Sequence, residues 1–387
     1  NPPPRGWNTG TIRVTTRTYE RGQPGDPTPF GAAHRAELTS AQCLGTVIRS
    51  LAVGFADVDA DHHLDLDCLY NFLSVEGPLV TMPMRDGRMR FLAQVHTSAT
   101  AGNAEPTLDE LQEIIDRRVG GIRVLRPHWL SYFQIHSAQV PQYRWGRVLL
   151  AGDAGHIHSP AGGRGMNTGM QDAFNLAWKL AAVVHGEAGD ILLDSYNAER
   201  HPIAQQVLAY STRLTRMWQL SGPSRRIRDV ALGLLTRIGP ARRAMVNDAT
   251  EVTINYMGGP IAVGDRPRGA KVAAGQHFPY VSDPAVYRQL RAVFGADNLG
   301  HTIVTVASEH RRPAPGAQGA TQVLVARDNT PVPDYDTVIA DPHQALAHRL
   351  GLKNGGRLVV RPDGYIGVIT TIDDTMDIAK YFTLIAS

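Results

Sequence analysis

One segment constrains this chain more than any other. Residues 147–186 read as an apolar run, Arg147-Val148-Leu149-Leu150-Ala151-Gly152, then Asp153, a glycine-rich loop from Ala154 to Gly165, and a long helix. The run is continuous in apolar character rather than alternating, which predicts a buried strand. A carboxylate at the end of a strand suits a hydroxyl-rich ligand, because an ionised carboxylate accepts from several O–H donors. Closely spaced glycines let backbone N–H groups approach a ligand with no Cβ in the way. The following helix turns its unpaired N–H groups and partial positive charge toward the loop. Spacing alone leaves two readings open: a ligand cradle, or a packed strand–loop–helix corner whose glycines only turn the chain.

Within that helix Met166, Met170, Ala173, Phe174, Ala177, Leu180, Ala181 and Val184 fall on one stripe at 3.6-residue spacing, the expected buried face. Gly186 suits its C-terminal cap. Upstream, Thr11–Arg17 alternates at period two, a strand pattern. From 43 to 145 the signals are mostly β. Leu69–Val75, Leu79–Met84 and Met89–Val95 read as strands, the last two joined by Arg85-Asp86-Gly87-Arg88 into a hairpin. Thr107 and Glu110 form a capping box, which predicts a helix over 107–118. Downstream come a helical region at 190–217, an arginine-rich helical stretch, and a Gly/Pro-punctuated link at 258–269. The last part alternates strand and helix: 302–307, 322–326, a helix near 343–350, 357–361, 366–370, and a final helix from Thr375.

At 387 residues the chain is long enough for two or three domains. No stretch approaches the ~18 consecutive apolar residues of a membrane helix, which excludes an integral helical membrane protein. Cys43 and Cys68 are too few for a disulfide framework, so a cytoplasmic location is expected. Only Lys179, Lys271, Lys353 and Lys380 are lysines among 39 basic residues, the mark of a GC-rich genome.

Arg147–Ala154, followed by Pro160-Ala161-Gly162-Gly163-Arg164-Gly165-Met166-Asn167-Thr168-Gly169-Met170-Gln171-Asp172-Ala173, resembles the second FAD-binding motif of flavoprotein aromatic hydroxylases of the p-hydroxybenzoate hydroxylase type. Asn175–Leu180 and Tyr196-Asn197-Ala198-Glu199-Arg200-His201-Pro202 continue the likeness. Val360-Arg361-Pro362-Asp363-Gly364-Tyr365-Ile366 is similar to the C-terminal thioredoxin-like domain of the polyketide and phenol hydroxylase branch. The likeness is continuous over about 120–217, weaker over 43–119, and returns near 355–367.

The resemblance implies a mixed α/β fold with a partial FAD-binding Rossmann-like domain, a β-sheet substrate domain and a C-terminal thioredoxin-like domain. The expected boundaries are 1–52 with 146–217, then 53–145, a helical connector at 218–269, and 270–387. It implies an enzyme in which NAD(P)H reduces FAD and oxygen is then transferred to an electron-rich ring of an aromatic or polyketide-like substrate. By position, Gly152 and Asp153 would meet the ribityl and pyrophosphate side of FAD, and Pro160 would lie beside the isoalloxazine. The backbone of Gly162, Gly163, Gly165, Met166 and Asn167 would line the pyrimidine edge, where N–H groups stabilise the charge of reduced flavin. The sheet would cover the substrate, with Asn71, Phe72, Met82 and Gln94 as candidate contacts from strand position. No catalytic base is identified. A small substrate and a homodimer are the expected partners, with neither nucleic acid nor membrane.

Two features depart from the family pattern. The GxGxxG fingerprint that follows the family's first strand does not occur. The Asp-Gly expected near the start of the middle domain reads Cys43-Leu44-Gly45-Thr46-Val47-Ile48-Arg49, and leucine accepts no hydrogen bond from a cofactor. The chain also opens Asn1-Pro2-Pro3-Pro4, without an initiator methionine. Three arrangements reconcile these facts: a piece of a longer hydroxylase, a shortened flavin-free relative using the same pocket for a non-redox step or for binding, or a second chain that supplies the other half.

Other patterns read as plain structure. Asp57, Asp59, Asp61, Asp65 and Asp67 with His62 and His63 invite a calcium loop. Counting from Asp57, the sixth and twelfth positions are His62 and Cys68 instead of Gly and Glu, so a solvated surface turn is expected. His156 and His158 lie two apart on a loop with no further ligand pattern, and no metal is expected. Arg213, Arg216, Arg225, Arg226, Arg228, Arg237, Arg242 and Arg243 face only Asp229, yet the net charge is just +3, which favours a solvated connector or a subunit contact.

Overall fold

The structure, a computed structural model, describes residues 12–16, 34–38, 51–95, 105–220, 222–235, 237–240, 254–295, 299–308 and 319–387. The Cys43–Arg49 motif, the Asn1 start, Arg242 and Arg243 lie outside the described residues. The chain divides into two compact units: Asn1–Gln142 with Asp153–Gly165 and Gln205–Leu234, and Tyr143–Gly152 with Met166–Ala204 and Leu235–Ser387.

In the first unit β1 (Ile12–Thr16) pairs antiparallel with β2 (His34–Leu38). Then come β3 (Leu51–Asp61), β4 (Tyr70–Ser74), β5 (Gly77–Pro83), β6 (Met89–Gln94), helix α1 (Leu108–Arg118) and β7 (Arg123–Ile135). These strands form one antiparallel sheet in the order β4-β5-β6-β3-β7. The expected β5–β6 hairpin closes as Gly87 takes φ +82° and the Met84 N–H donates to the Arg88 carbonyl at 2.8 Å. The capping box forms too: Glu110 N–H donates to Thr107 Oγ1 at 3.2 Å, and Thr107 N–H to Glu110 Oε2 at 2.9 Å.

α1 covers one face of this sheet, where Leu111 and Ile115 pack with Ala56, Val58, Leu79, Met89 and Phe91. Fully burying a side chain such as Phe91 contributes about 1.5–3 kcal/mol, so the face that α1 covers is a core in its own right. The aspartate run is the expected exposed turn only in part, at Asp65 and Asp67, where Asp67 N–H donates to Asp65 Oδ1 at 2.9 Å. Asp57, Asp59 and Asp61 stand on β3, where Ala56, Val58 and Ala60 point toward α1 and the intervening carboxylates point away.

Four short strands follow: β8 (Ala138–Gln139), β9 (Arg144–Trp145), β10 (Val148–Leu149) and β11 (His156–Ile157). β8 pairs with β11 in the first unit, and β9 with β10 in the second. The buried strand expected at 147–152 is thus only the half-buried two-residue β10. Side chains take the backbone groups beyond it: Tyr196 Oη donates to the Leu150 carbonyl at 2.8 Å, and Gly152 N–H donates to Asp172 Oδ2 at 3.1 Å.

Helices α2 (Gly165–Val184), α3 (Asp190–Trp218) and α4 (Gly222–Leu235) come next. α2 is turned opposite to expectation. Its apolar stripe is exposed at every position, Met166 by 74% and Phe174 by 65%, while Thr168, Asp172, Asn175 and Lys179 are buried. Spacings of four, three and four residues put this polar stripe on one face, and Glu199 and Arg200 of α3 bond to it. Gly186 caps the helix at φ +75°, as expected. On α4 Arg228 is not solvated: it is buried, pairs with Asp229 at 2.7 Å and donates to the Met217 carbonyl at 3.1 Å.

The rest of the second unit is α/β: α5 (Pro284–Val293), β12 (Thr302–Val306), β13 (Thr321–Ala326), β14 (Thr337–Ala340), α6 (Ala345–Leu350), β15 (Gly356–Val360), β16 (Ile366–Thr370) and α7 (Met376–Ala386). The sheet order is β14-β13-β12-β15-β16, with the first three strands parallel and the last two antiparallel to their neighbours. One face packs Val304, Val323 and Leu358 with Val286 and Leu290 of α5 and Leu346 of α6. The other packs Ile303, Val359 and Val368 with Ile378, Tyr381 and Ile385 of α7. α5 and β14 were not foreseen from sequence, although Asp283-Pro284 is a clear helix start: Asp283 Oδ1 accepts from Ala285 N–H at 2.9 Å.

Candidate active site

The glycine-rich segment enters as a 3-10 turn at Gly152–Ala154. In the second unit Gly152 holds φ +57°, and a Cβ there would lie 3.6 Å from the Gly169 Cα, so two glycines let this turn sit directly on α2. Asp172 accepts the Gly152 N–H and is itself paired with Arg200 at 2.7 Å, with both side chains fully buried. Met166 and Asn167 are exposed in the first turn of α2, which contains no acidic residue to neutralise its positive end.

In the first unit the loop is built from Asp153 to Gly165. The Asp153 carboxylate is exposed. Pro160-Ala161-Gly162-Gly163 is a tight turn in which Gly163 N–H donates to the Pro160 carbonyl at 2.9 Å. Its third residue, Gly162, adopts φ +98°, and a Cβ there would meet Tyr210 at 2.9 Å. Ser159 braces the turn, accepting from Ala161 N–H at 3.3 Å and from Thr215 Oγ1 at 3.0 Å. Arg164 is buried with its guanidinium 3.7 Å over the Tyr210 ring. Pro160, Gly162 and Gly163 are exposed, and nothing lies within 4 Å of a Cβ built on Gly163.

His158 is a residue that sequence reading did not assign. Burial holds its imidazole below the usual range, so the ring is neutral near pH 7. Nδ1 donates to the Ser159 carbonyl at 2.9 Å, which leaves Nε2 as a bare acceptor, and that atom is buried without a partner. Such an orphan acceptor costs free energy unless a donor reaches it. His156 stacks on His158 at 6.4 Å. Among the described residues no group of three or more His, Cys, Asp or Glu stands close enough to hold a metal ion.

The sheet of the first unit carries the candidate substrate residues. Strand register puts Asn71, Met82 and Gln94 on the face away from α1. It puts Phe72 on the opposite face, packed against the α1 core, so Phe72 does not join the other three. The open face also carries three aromatics missed at first: Phe55 lies 6.3 Å from Trp129 and 5.1 Å from Phe133, ring to ring. Trp129 and Phe133 are 42% and 41% exposed, unusual for large aromatics. Their period-two spacing in β7 was the available signal. Asp57 and Arg90 form a two-bond ion pair on the same face, 2.7 Å at each contact.

The FAD binding domain family matches residues 36–211, and the phenol hydroxylase C-terminal dimerisation domain family matches residues 285–387. A 6-methylpretetramide 4-monooxygenase of Streptomyces rimosus is 32% identical over 329 residues, covering 80% of this chain and 57% of that protein. A flavin-dependent monooxygenase of Mycobacteroides abscessus is 32% identical over 345 residues, covering 84% and 62%. The solved structure of the anhydrotetracycline hydroxylase OxyS from Streptomyces rimosus aligns with a TM-score of 0.63 at 24% identity, over 87% of this chain and 64% of that one. That likeness shows the fold. The chain spans less than two thirds of the length of these relatives.

Among the described residues, no helix is long and apolar enough to cross a membrane.

Proposed function

Since the chain belongs to the flavoprotein aromatic hydroxylase family, we propose that it serves FAD-dependent, NAD(P)H-consuming hydroxylation of an aromatic, polyketide-like substrate. The observation that carries this reading is the loop itself. It offers an exposed carboxylate at Asp153, two exposed glycines in tight-turn geometry and an unpaired acceptor at His158 Nε2. Each feature fits a flavin: ribityl hydroxyls and the ring N–H are donors, and the pyrimidine edge is electron-rich. When bound, FAD supplies the hydride acceptance and oxygen activation that no side chain offers.

The chain's own residues do the rest. Asp153 and His158 Nε2 would accept hydrogen bonds from the cofactor, His158 with its ring already oriented by the bond to the Ser159 carbonyl. Gly162 and Gly163 admit a flat ring against the backbone, with Pro160 beside it. The N–H groups of Gly165, Met166 and Asn167 lie in the first turn of α2, which favours negative charge. On the sheet, Phe55, Trp129 and Phe133 offer ring faces and edges to a planar polycyclic substrate. Asn71, Met82 and Gln94 border it, and the Asp57–Arg90 pair gives a polar end.

The relative from Streptomyces rimosus is named for action on a pretetramide, which supports a polycyclic substrate. The dimerisation-domain match over 285–387 supports a homodimer built through the C-terminal α/β region. The functional reading is tested by titrating the purified chain with FAD and following flavin fluorescence. Saturable quenching in the wild type, weakened about tenfold in Asp153→Ala by loss of a charged hydrogen-bond acceptor, is the expected result. A chain that leaves FAD fluorescence unchanged refutes the reading.

A further inference from the structure

Two ionic clusters lie buried side by side in the second unit, and they differ in what they reach. In one, Glu199 accepts from Lys179 Nζ at 2.7 Å, from Arg361 at 2.6 and 2.9 Å, and from Asn175 at 2.8 Å. In the other, Arg200 donates to Asp172 at 2.7 Å, to the Tyr256 hydroxyl at 3.1 Å and to the Thr168 carbonyl at 3.2 Å. Both clusters are almost wholly shielded from solvent. Only the second touches the glycine-rich segment among the described residues, through Asp172 Oδ2 and the Gly152 N–H at 3.1 Å.

A carboxylate that gives one oxygen to a rigid guanidinium and the other to a backbone N–H fixes the orientation of that peptide. Arg200 is itself held in place, because its guanidinium also donates to Tyr256, Gln171 and the Thr168 carbonyl. Gly152 is already in the left-handed region at φ +57°, with Gly169 close beneath it. The next residue in the chain is Asp153. We propose that Asp172, clamped by Arg200, is a positioning residue that sets the Gly152–Asp153 turn for cofactor binding. This inference rests on the FAD reading above.

The neighbouring cluster supplies the control, since Lys179 stands on the same helix and is charged, ion-paired and fully buried like Asp172, but has no bond to the turn. The experiment compares Asp172→Asn, Gly169→Ala and Lys179→Met with the wild type. It reads deuterium uptake in peptides covering 150–155 without FAD, FAD affinity, and Tm. Asp172→Asn is expected to speed exchange at the turn and to weaken FAD about tenfold, the loss of one hydrogen bond to a charged group. Lys179→Met is expected to lower Tm while leaving turn exchange and FAD affinity within twofold of wild type. Gly169→Ala moves the turn without touching a charge, because its Cβ would lie 3.3 Å from the Gly152 Cα. It therefore decides the matter if Asp172→Asn does not fold: weaker FAD at unchanged Tm supports the proposal. Turn exchange and FAD affinity that follow Tm alike in all three variants overturn it. A wild type that takes up no FAD sinks the functional reading instead, and exchange at Gly152 in the variants then decides whether Asp172 holds the turn.

Discussion

The two five-stranded sheets of this molecule bury different amounts of themselves. In the second unit β12, β15 and β16 are buried at every position, with α5 and α6 on one face and α7 on the other. In the first unit α1 covers one face, and the other leaves Trp129 and Phe133 about two-fifths exposed. A sheet covered on both faces offers no open face to a ligand and serves as scaffold. A sheet closed on one side keeps a row of side chains, every second residue along each strand, free to meet one.

The contrast breaks first at the buried charges of the closed unit. Arg361→Met strands Glu199 and Asp363 without their guanidinium and is expected to cost about 3–5 kcal/mol in urea unfolding, the range for breaking a buried ion pair. Leu358→Ala, in the middle of the closed sheet, is expected to cost about 2–5 kcal/mol in the same assay by leaving a cavity. On the open face Trp129→Ala is expected to cost no more than about 1 kcal/mol of stability, since its ring is already partly in water. If the proposed function holds, its effect is expected on substrate affinity instead. Equal losses for Leu358→Ala and Trp129→Ala would erase the distinction between scaffold and site.

A smaller effect follows from pH. Burial works to raise the Glu199 carboxyl, but Arg361 and Lys179 overcome it and hold it down to about 2, below its usual 4.5. A depressed carboxylate contributes stability that is whole above about pH 4.5 and drains away as pH falls toward 2. Burial also draws the Lys179 ammonium down to about 8. The folded state then sheds that proton before the unfolded one, so this group adds stability as pH rises from about 8 toward 10.5. Unfolding of wild type and of the Glu199→Gln, Lys179→Met double variant across both windows checks this: the double variant should show the flatter profile.

Sequence revealed the local devices well and the facing of elements less well. The capping box at Thr107, the Asp86-Gly87 hairpin turn and the Gly186 cap were legible because each is decided within a few residues. The orientation of α2 was not. Its apolar stripe from Met166 to Val184 is regular, yet Thr168, Asp172, Asn175 and Lys179 are the residues turned inward. The reason lies far along the chain, in Glu199, Arg200 and Asp363, whose charges need buried partners more than the stripe needs cover. The glycine loop was legible as a motif, whereas His158 was not, because its significance depends on a hydrogen bond at one ring nitrogen and none at the other. Phe72 was misplaced because strand position alone does not say which face a helix will cover.

The most direct test follows deuterium uptake along the whole chain with and without FAD. The account predicts slowed exchange in peptides spanning residues 152–167 and none in the closed sheet from Thr302 to Thr370. FAD protection confined to the C-terminal α/β region, or absent from residues 152–167, would contradict it.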